Sequence, residues 1–415
     1  MIHIILPQCI FENSGVESNY GSILPIPIGN SCYTHMKNKK TVSQKALELH
    51  RKHKGKIEIQ KKITITRESY KLLYTPGVAA VSTHLAHHPE ETNEYTWRGQ
   101  TIAVVSDGSA VLGLGDIGPE AALPVMEGKA LLFKELGGVN AVPVVISVHT
   151  SEEIIKTIQA IAPSFAGINI EDIAAPQCFE IERTLVDTLD IPVMHDDQHG
   201  TAIVVLAALI NAHKVVKKNI GTSRIAVVGA GAAGTAITNL LVQYGVGDVV
   251  VVDSKGIISP LRTDLSDEKN TLVQITNNEA RTGGVLEAMI GADVVIGVSK
   301  KGILRGEYIR MMAQRPIVFA LANPEPEIMP EEAHASGAAV VATGRPDYPN
   351  QVNNVLVFPG VFRGALENKV SKITDEMKIR AAKALAKLVM QPSAKKIIPT
   401  VFDRRVAKAV ANAIR

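Results

Sequence analysis

The stretch "SRIAVVGAGAAGTAITNLLVQYGVGDVVVVDSKG", residues 223–256, decides the fold. A β-rich run leads into Gly229, Gly231 and Gly234 at GxGxxG spacing, and a helical segment follows. A second β-rich run ends at Asp253, nineteen residues beyond Gly234. The glycine spacing alone is weak evidence; strand, glycine turn, helix, strand and acid in this order is the dinucleotide-binding context. Gly229, Ala230, Gly231, Ala232, Ala233 and Gly234 would let the backbone approach a pyrophosphate, whose charge faces a helix N-terminus. Asp253 is placed to accept from the ribose hydroxyls and to repel a 2′-phosphate, which favours NAD. Lys255 lies close enough to keep NADP as the alternative. The plainer reading is a glycine turn closing an ordinary βα unit.

Outward from this stretch the same alternation continues. "GADVVIGVS", "RPIVFALANP" and "AAVVATG" supply later strands. Upstream, "TIAVVSDG", "NAVPVVIS" and "SFAGINIED" read as strands, with the helix "SEEIIKTIQAIA" between the last two. Such an order predicts an α/β fold with mainly parallel sheets. A long helix is expected from Thr201 to about Lys218, and the tail after Val370 reads as helical. The tail's Ala-Lys pattern suits a subunit interface or a solvated surface helix.

Across 415 residues, 46% are apolar, 20% charged and 4% aromatic, with a net charge of +3. This is a globular balance with room for two or three domains. The charge is too small to argue for nucleic acid or a membrane surface. Cys9, Cys32 and Cys178 show no CxxC spacing, which points to a reducing compartment, the cytoplasm. The most apolar run, "AIVVLAALINA" from Ala202, falls short of the ~20 residues of a membrane helix and reads as a buried one. Residues 1–35 carry no Lys or Arg and have no clear period. They read as an extension or a start codon called too early, with Met36 opening the working protein.

The chemistry is concentrated in "NIEDIA" and "VMHDDQHGTA". Glu171 and Asp172 follow one strand-like run, and Asp196 and Asp197 follow another. Strand ends aim side chains into the crevice at the carboxyl edge of a parallel sheet. Carboxylates converging there repel one another unless a cation intervenes, and hard oxygen donors suit Mg²⁺ or Mn²⁺. His195 and His199 have the i, i+4 spacing of a zinc helix, but the internal Glu and a third soft ligand are missing. An aspartate capping a helix that starts near His199 is the structural alternative.

Taken together, "LLYTPGVA", "VLGLGDIGPEAALPVMEGKALLF", "GINIEDIAAPQCFEIE", "IPVMHDDQHGTA", "VVGAGAAG", "FALANPEPEI" and "NNVLVFPG" resemble the malic enzymes in their short bacterial and archaeal form. The match runs in family order from about residue 41 to 370. It implies an N-terminal malic-type α/β domain over 36–198, a Rossmann-type NAD-binding domain over 199–370 and C-terminal helices over 371–415. It also implies oxidative decarboxylation of malate to pyruvate and CO₂ with reduction of NAD(P). Tyr74 would be the general acid and Lys129, made neutral by burial, the general base. Glu171, Asp172 and Asp197 would hold the Mg²⁺ or Mn²⁺, and Asn323, Asn353 and Asn354 would contact substrate and nicotinamide. The family's habit is a homodimer or homotetramer. One departure stands out: Ala110 occupies the place where larger relatives carry a carboxylate-gripping arginine. Each of these residues also has a plainer role: Tyr74 in a core, Lys129 on a solvated helix face, Asn323 in an Asn-Pro turn, Asn353 and Asn354 opening a strand. Rival functions are a malolactic conversion of malate to lactate, an amino-acid dehydrogenase and a non-catalytic dinucleotide sensor.

Overall fold

The computed structural model describes residues 40–111 and 113–415. The expected extension over residues 1–35 lies outside them. The chain divides into a unit over Met1–Lys52 and a unit over His53–Arg415. The described part of the first consists almost entirely of the helix Val42–His53, none of whose residues is buried. Gly55, just beyond it, takes a φ of +113, the conformation glycine supplies after a helix end.

The second unit is built on two sheets. The first has the order β2-β1-β3-β4, from β1 Thr101–Ser106, β2 Asn140–Val145, β3 Ile168–Ile170 and β4 Val193–His195. All of its pairings are parallel. The second has the order β10-β9-β8-β5-β6-β7, from β5 Arg224–Val228, β6 Asp248–Asp253, β7 Gly256–Ile257, β8 Val294–Gly297, β9 Ile317–Ala320 and β10 Val340–Thr343. Only the short β7 runs antiparallel, against β6. The strands are runs of Val, Ile and Ala because a parallel sheet is covered on both faces, and Ile102 to Val105 are fully buried. In each sheet the chain leaves its first strand to one side and returns to the other. Loops at such a switch point part and leave a crevice at the carboxyl ends, where α/β proteins place ligands.

The 21-residue helix Asp196–Val216 starts directly after β4, five residues earlier than the sequence pattern suggests. His195, in extended conformation, precedes it, and no side chain caps it. Asp196 and Asp197 sit inside its first turn, where acids favour the helix dipole. Neither is the cap. This helix is long and apolar enough to span a membrane, but 72% of its apolar window is buried in protein. It belongs to one core with Ile102 and Val104 of the first sheet and Ile225 and Val227 of the second. The tail helices Asp375–Lys387 and Arg405–Ala411 bury Ala381, Ala382, Leu385 and Val410. Asn211 fastens the tail by donating from Nδ2 to the carbonyls of Ala386 (2.8 Å) and Ile397 (2.9 Å). The tail's apolar face is therefore used within its own chain.

Gly234 lies so close to the Gly229 carbonyl that a Cβ there would collide with it. Gly234→Ala is expected to cost about 1–3 kcal/mol of stability, measured by urea unfolding, and to weaken NAD binding.

Candidate active site

The first sheet's carboxyl edge gathers the acidic residues. Successive strand residues point to opposite faces, so Glu171 and Asp172 could not act together if β3 simply continued. It does not: Asp172 takes a φ of +52, which turns the chain sharply at that residue. Aspartate tolerates this left-handed conformation better than most residues. Asp197 Oδ2 accepts the Asp172 N–H at 2.9 Å and locks the two strand ends together. One carboxylate oxygen from each of Glu171, Asp172 and Asp197 lies within 4.8 Å of the others. These are the three residues named from the sequence as cation ligands.

Lys129, from the helix Pro119–Leu132, enters the same cluster and is 8% exposed. It is no solvated surface lysine. Its Nζ stands 2.6 Å from Asp196 Oδ2 and 2.6 Å from Glu171 Oε1. It also lies 4.2 Å from the centroid of the Phe358 ring. Burial alone would lower its pKa, but the charges of Asp196, Glu171 and Asp197 outweigh it and hold the ammonium above the ordinary lysine range. Burial by itself therefore does not neutralise this lysine, because the surrounding carboxylates oppose it.

One ammonium does not balance Glu171, Asp172, Asp196 and Asp197. Burial pushes the Glu171 carboxyl well above the usual range, with Lys129 pulling it back. Burial raises Asp196 as well, and its Oδ1 is buried without a hydrogen-bond partner. The cluster is short of positive charge, and its donors are carboxylate oxygens alone. A hard dication such as Mg²⁺ or Mn²⁺ fits that set. His195 and His199 do not converge as zinc ligands would. His199 Nε2 lies 2.9 Å from Glu182 Oε2, whereas His195 Nε2 faces Asp197 Oδ2 at 3.2 Å.

Tyr74 stands apart from this burial. It follows the helix Arg67–Leu73 and precedes the cis Thr75–Pro76 peptide bond. Its side chain is 61% exposed, which rules out a core tyrosine. Ala110 has its N–H bonded to the Asp172 carbonyl at 3.0 Å, so that loop is tied to the cluster without contributing a charge.

The second sheet carries a cleft of about 1070 Å³ lined by Gly229, Ala230, Gly231, Asp253, Lys255 and Arg262, among others. Ala232, Ala233 and Gly234 form the first turn of the helix Ala232–Tyr244 at its edge. Asp253 is engaged by two cations. Arg262 grips it through Nη1 (2.7 Å) and Nη2 (3.2 Å), and Lys269 reaches it at 2.7 Å. Burial works against ionisation there, but these partners pull its pKa down to about 2.

The two regions meet through their loops. A Cβ on Gly113 would touch Pro324 Cδ at 3.0 Å, so the loop of the first sheet lies against the Asn323–Pro324 peptide, which is cis. Gly344 packs against the Asn323 amide, and Gly200 separates the Asn354 Cβ from the Asp196 carboxylate. Asn353 opens no strand: its Oδ1 accepts the Val355 N–H at 2.9 Å and starts a 3₁₀ turn.

Three features escaped the sequence reading. Asp196 is the ion-pair partner of Lys129, and Arg262 and Lys269 surround Asp253; no spacing announces either contact. Glu182 could have been found, since it shares the stripe of Cys178, Ile181 and Leu185, an odd place for a carboxylate.

A cleft over a glycine turn and acid at the edge of one parallel sheet, with a buried lysine–carboxylate cluster at the edge of the other, is the arrangement of a dinucleotide-dependent dehydrogenase. Residues 52–186 match the malic enzyme N-terminal domain and residues 198–415 the malic enzyme NAD-binding domain. The bifunctional malic/malolactic enzyme of Bacillus subtilis (strain 168) is 49% identical over 90% of this chain and 92% of its own. The NAD-dependent malic enzyme of Geobacillus stearothermophilus is 51% identical over 87% of this chain and 76% of its own. The crystal structure of the Thermotoga maritima NAD-dependent malic enzyme superposes with a TM-score of 0.87 at 49% identity, over 89% of this chain and 98% of that one. The chain belongs to the malic enzyme family.

Proposed function

We propose that Lys129 and Tyr74 carry the proton transfers of the malic enzyme reaction, around a cation held by Glu171, Asp172 and Asp197. The reaction converts malate to pyruvate and CO₂ with reduction of NAD(P). The observation that carries this reading is the buried Lys129 ammonium seated between Asp196 and Glu171, beside three carboxylates within 4.8 Å. When bound, a dication supplies Lewis-acid pull on the substrate oxygens, and NAD(P) accepts the hydride. Lys129 takes the proton of the C2 hydroxyl. It can do so only once the negative charge of its neighbours is offset, because that charge is what keeps it protonated. Asp196 then holds the ammonium in place until the proton is returned. Tyr74 protonates C3 of the enol left after CO₂ departs. Asn323, Asn353 and Asn354 contact substrate and nicotinamide; Asn353 keeps its amide N–H groups for that purpose, its oxygen being engaged. The test is one steady-state assay with NAD and with NADP, with and without EDTA. Pyruvate and reduced cofactor appearing together, and vanishing with EDTA, are expected; turnover indifferent to EDTA would refute the cation site.

The name of the Bacillus subtilis relative gives a malolactic activity a place as a second reading. In that case lactate would accumulate without free NADH.

Both cofactors suit the cleft. Asp253 by itself would repel a 2′-phosphate, but Arg262 and Lys269 already neutralise it, and Lys255 stands nearby on Asp264 at 2.8 Å. Lys269→Ala is expected to raise the KM for NADP about tenfold, the equivalent of one lost contact of ~1.4 kcal/mol, and to change the KM for NAD much less. Equal changes for the two would contradict this role.

We extend the proposal to a homo-oligomer in the cytoplasm. Ile59, Leu72, Ile65 and Tyr74 are 95%, 73%, 68% and 61% exposed on one continuous segment, and a second copy would cover these apolar side chains. Light scattering on the purified protein measures the assembly; a monomer at micromolar concentration would contradict it.

A further inference from the structure

Behind the acidic cluster runs a buried polar chain that none of the steps above uses. Glu182 is 7% exposed, and an unpaired carboxylate there would be costly. Its Oε1 accepts the backbone N–H of His195 at 2.7 Å. Its Oε2 accepts from Gln198 Nε2 at 3.0 Å. The same Gln198 nitrogen lies 2.9 Å from His195 Nδ1. A carboxylate only accepts, so the nitrogen end of the Gln198 amide must face Glu182, and its other N–H is left for Nδ1. Nδ1 must then accept, which assigns the ring proton to Nε2 from the network. His195 is fully buried, and its Nε2 makes no aligned hydrogen bond. It stands 3.2 Å from Asp197 Oδ2, the oxygen that also accepts the Asp172 N–H.

We propose that Glu182 and His195 are positioning residues for the cation site, the chain Glu182–Gln198–His195 holding the Nε2 edge of the ring against one oxygen of Asp197 so that the other is turned to the ion. The proposal rests on the reading of Glu171, Asp172 and Asp197 as cation ligands. The Asp172 N–H bonds Oδ2 and the His195 ring stands 3.2 Å from the same oxygen, so rotation of the carboxylate would forfeit both contacts. Partners that orient metal ligands typically contribute 10–100-fold in metal affinity.

The alternative is that Glu182 merely anchors the start of the helix Asp196–Val216 through the His195 N–H. The two roles separate in the absence of turnover. Mn²⁺ affinity is read from the electron paramagnetic resonance of free Mn²⁺, and NAD affinity is measured beside it as a check that the second sheet is intact. His195→Phe, which removes the ring donor, is expected to weaken Mn²⁺ about 10–100-fold with NAD binding unchanged. His195→Gln, whose amide nitrogen reaches the position of Nε2, should recover most of that loss. Glu182→Gln provides the same test from a distance. Its amide would face Gln198 with a donor, turn that amide over and move the ring proton to Nδ1, so Mn²⁺ should again bind more weakly. Should His195→Phe fail to fold, Glu182→Gln decides. Folded variants that bind Mn²⁺ as tightly as the native protein, while Asp197→Asn does not, would overturn the positioning role alone. Native-like Mn²⁺ binding by Asp197→Asn would instead overturn the cation site on which it rests.

Discussion

Lys129→Ala is expected to lower kcat for malate oxidation by about 10²–10⁴-fold, the usual worth of a positioned acid–base group. Decarboxylation of added oxaloacetate should survive better, because that step starts beyond the hydroxyl deprotonation. The buried ion pairs make a further, separable effect. Removing the lysine held between Asp196 and Glu171 leaves their charges uncompensated in a buried site. Losing one partner of a buried pair costs about 3–5 kcal/mol. A dication that binds only the folded protein stabilises it more the tighter it binds, and with the Lys129 charge gone the carboxylates should hold Mg²⁺ more tightly, so Mg²⁺ should raise the melting temperature of Lys129→Ala more than that of the native protein. Comparing the two melts with and without Mg²⁺ checks this. Near-native turnover of malate by the variant would remove Lys129 from the mechanism.

Tyr74→Phe should produce the second large loss, again about 10²–10⁴-fold, but at a different step. Hydride transfer should proceed, and the enol should be released or protonated slowly. A burst of NADH in a single-turnover experiment, followed by slow pyruvate formation, is the expected pattern. Since phenylalanine keeps the ring and removes only the hydroxyl, the replacement should leave the melting temperature nearly unchanged. A variant that lost stability but kept its kinetics would make Tyr74 a packing residue, contrary to the proposal. The two variants together test the division of labour, because only Lys129→Ala should slow the hydride step.

The sequence by itself determined the α/β class, the order of the strands and the dinucleotide turn. Those properties are local: β-branched runs, glycine spacing and helix periodicity act over a few residues and leave marks in the chain. It also gathered Glu171, Asp172, Asp196 and Asp197, since strand ends of a parallel sheet share an edge, and the family resemblance singled out Asp197 over Asp196. Only the tertiary structure decided their electrostatics. Burial was expected to neutralise Lys129, but the Asp196 carboxylate, 67 residues away in sequence and 2.6 Å away in space, opposes that effect. Asp253 was expected to repel a phosphate, yet Arg262 and Lys269 arrive from beyond β7 to cancel it. A charge's effect depends on distance and on the water excluded around it, and neither quantity exists until the chain has folded.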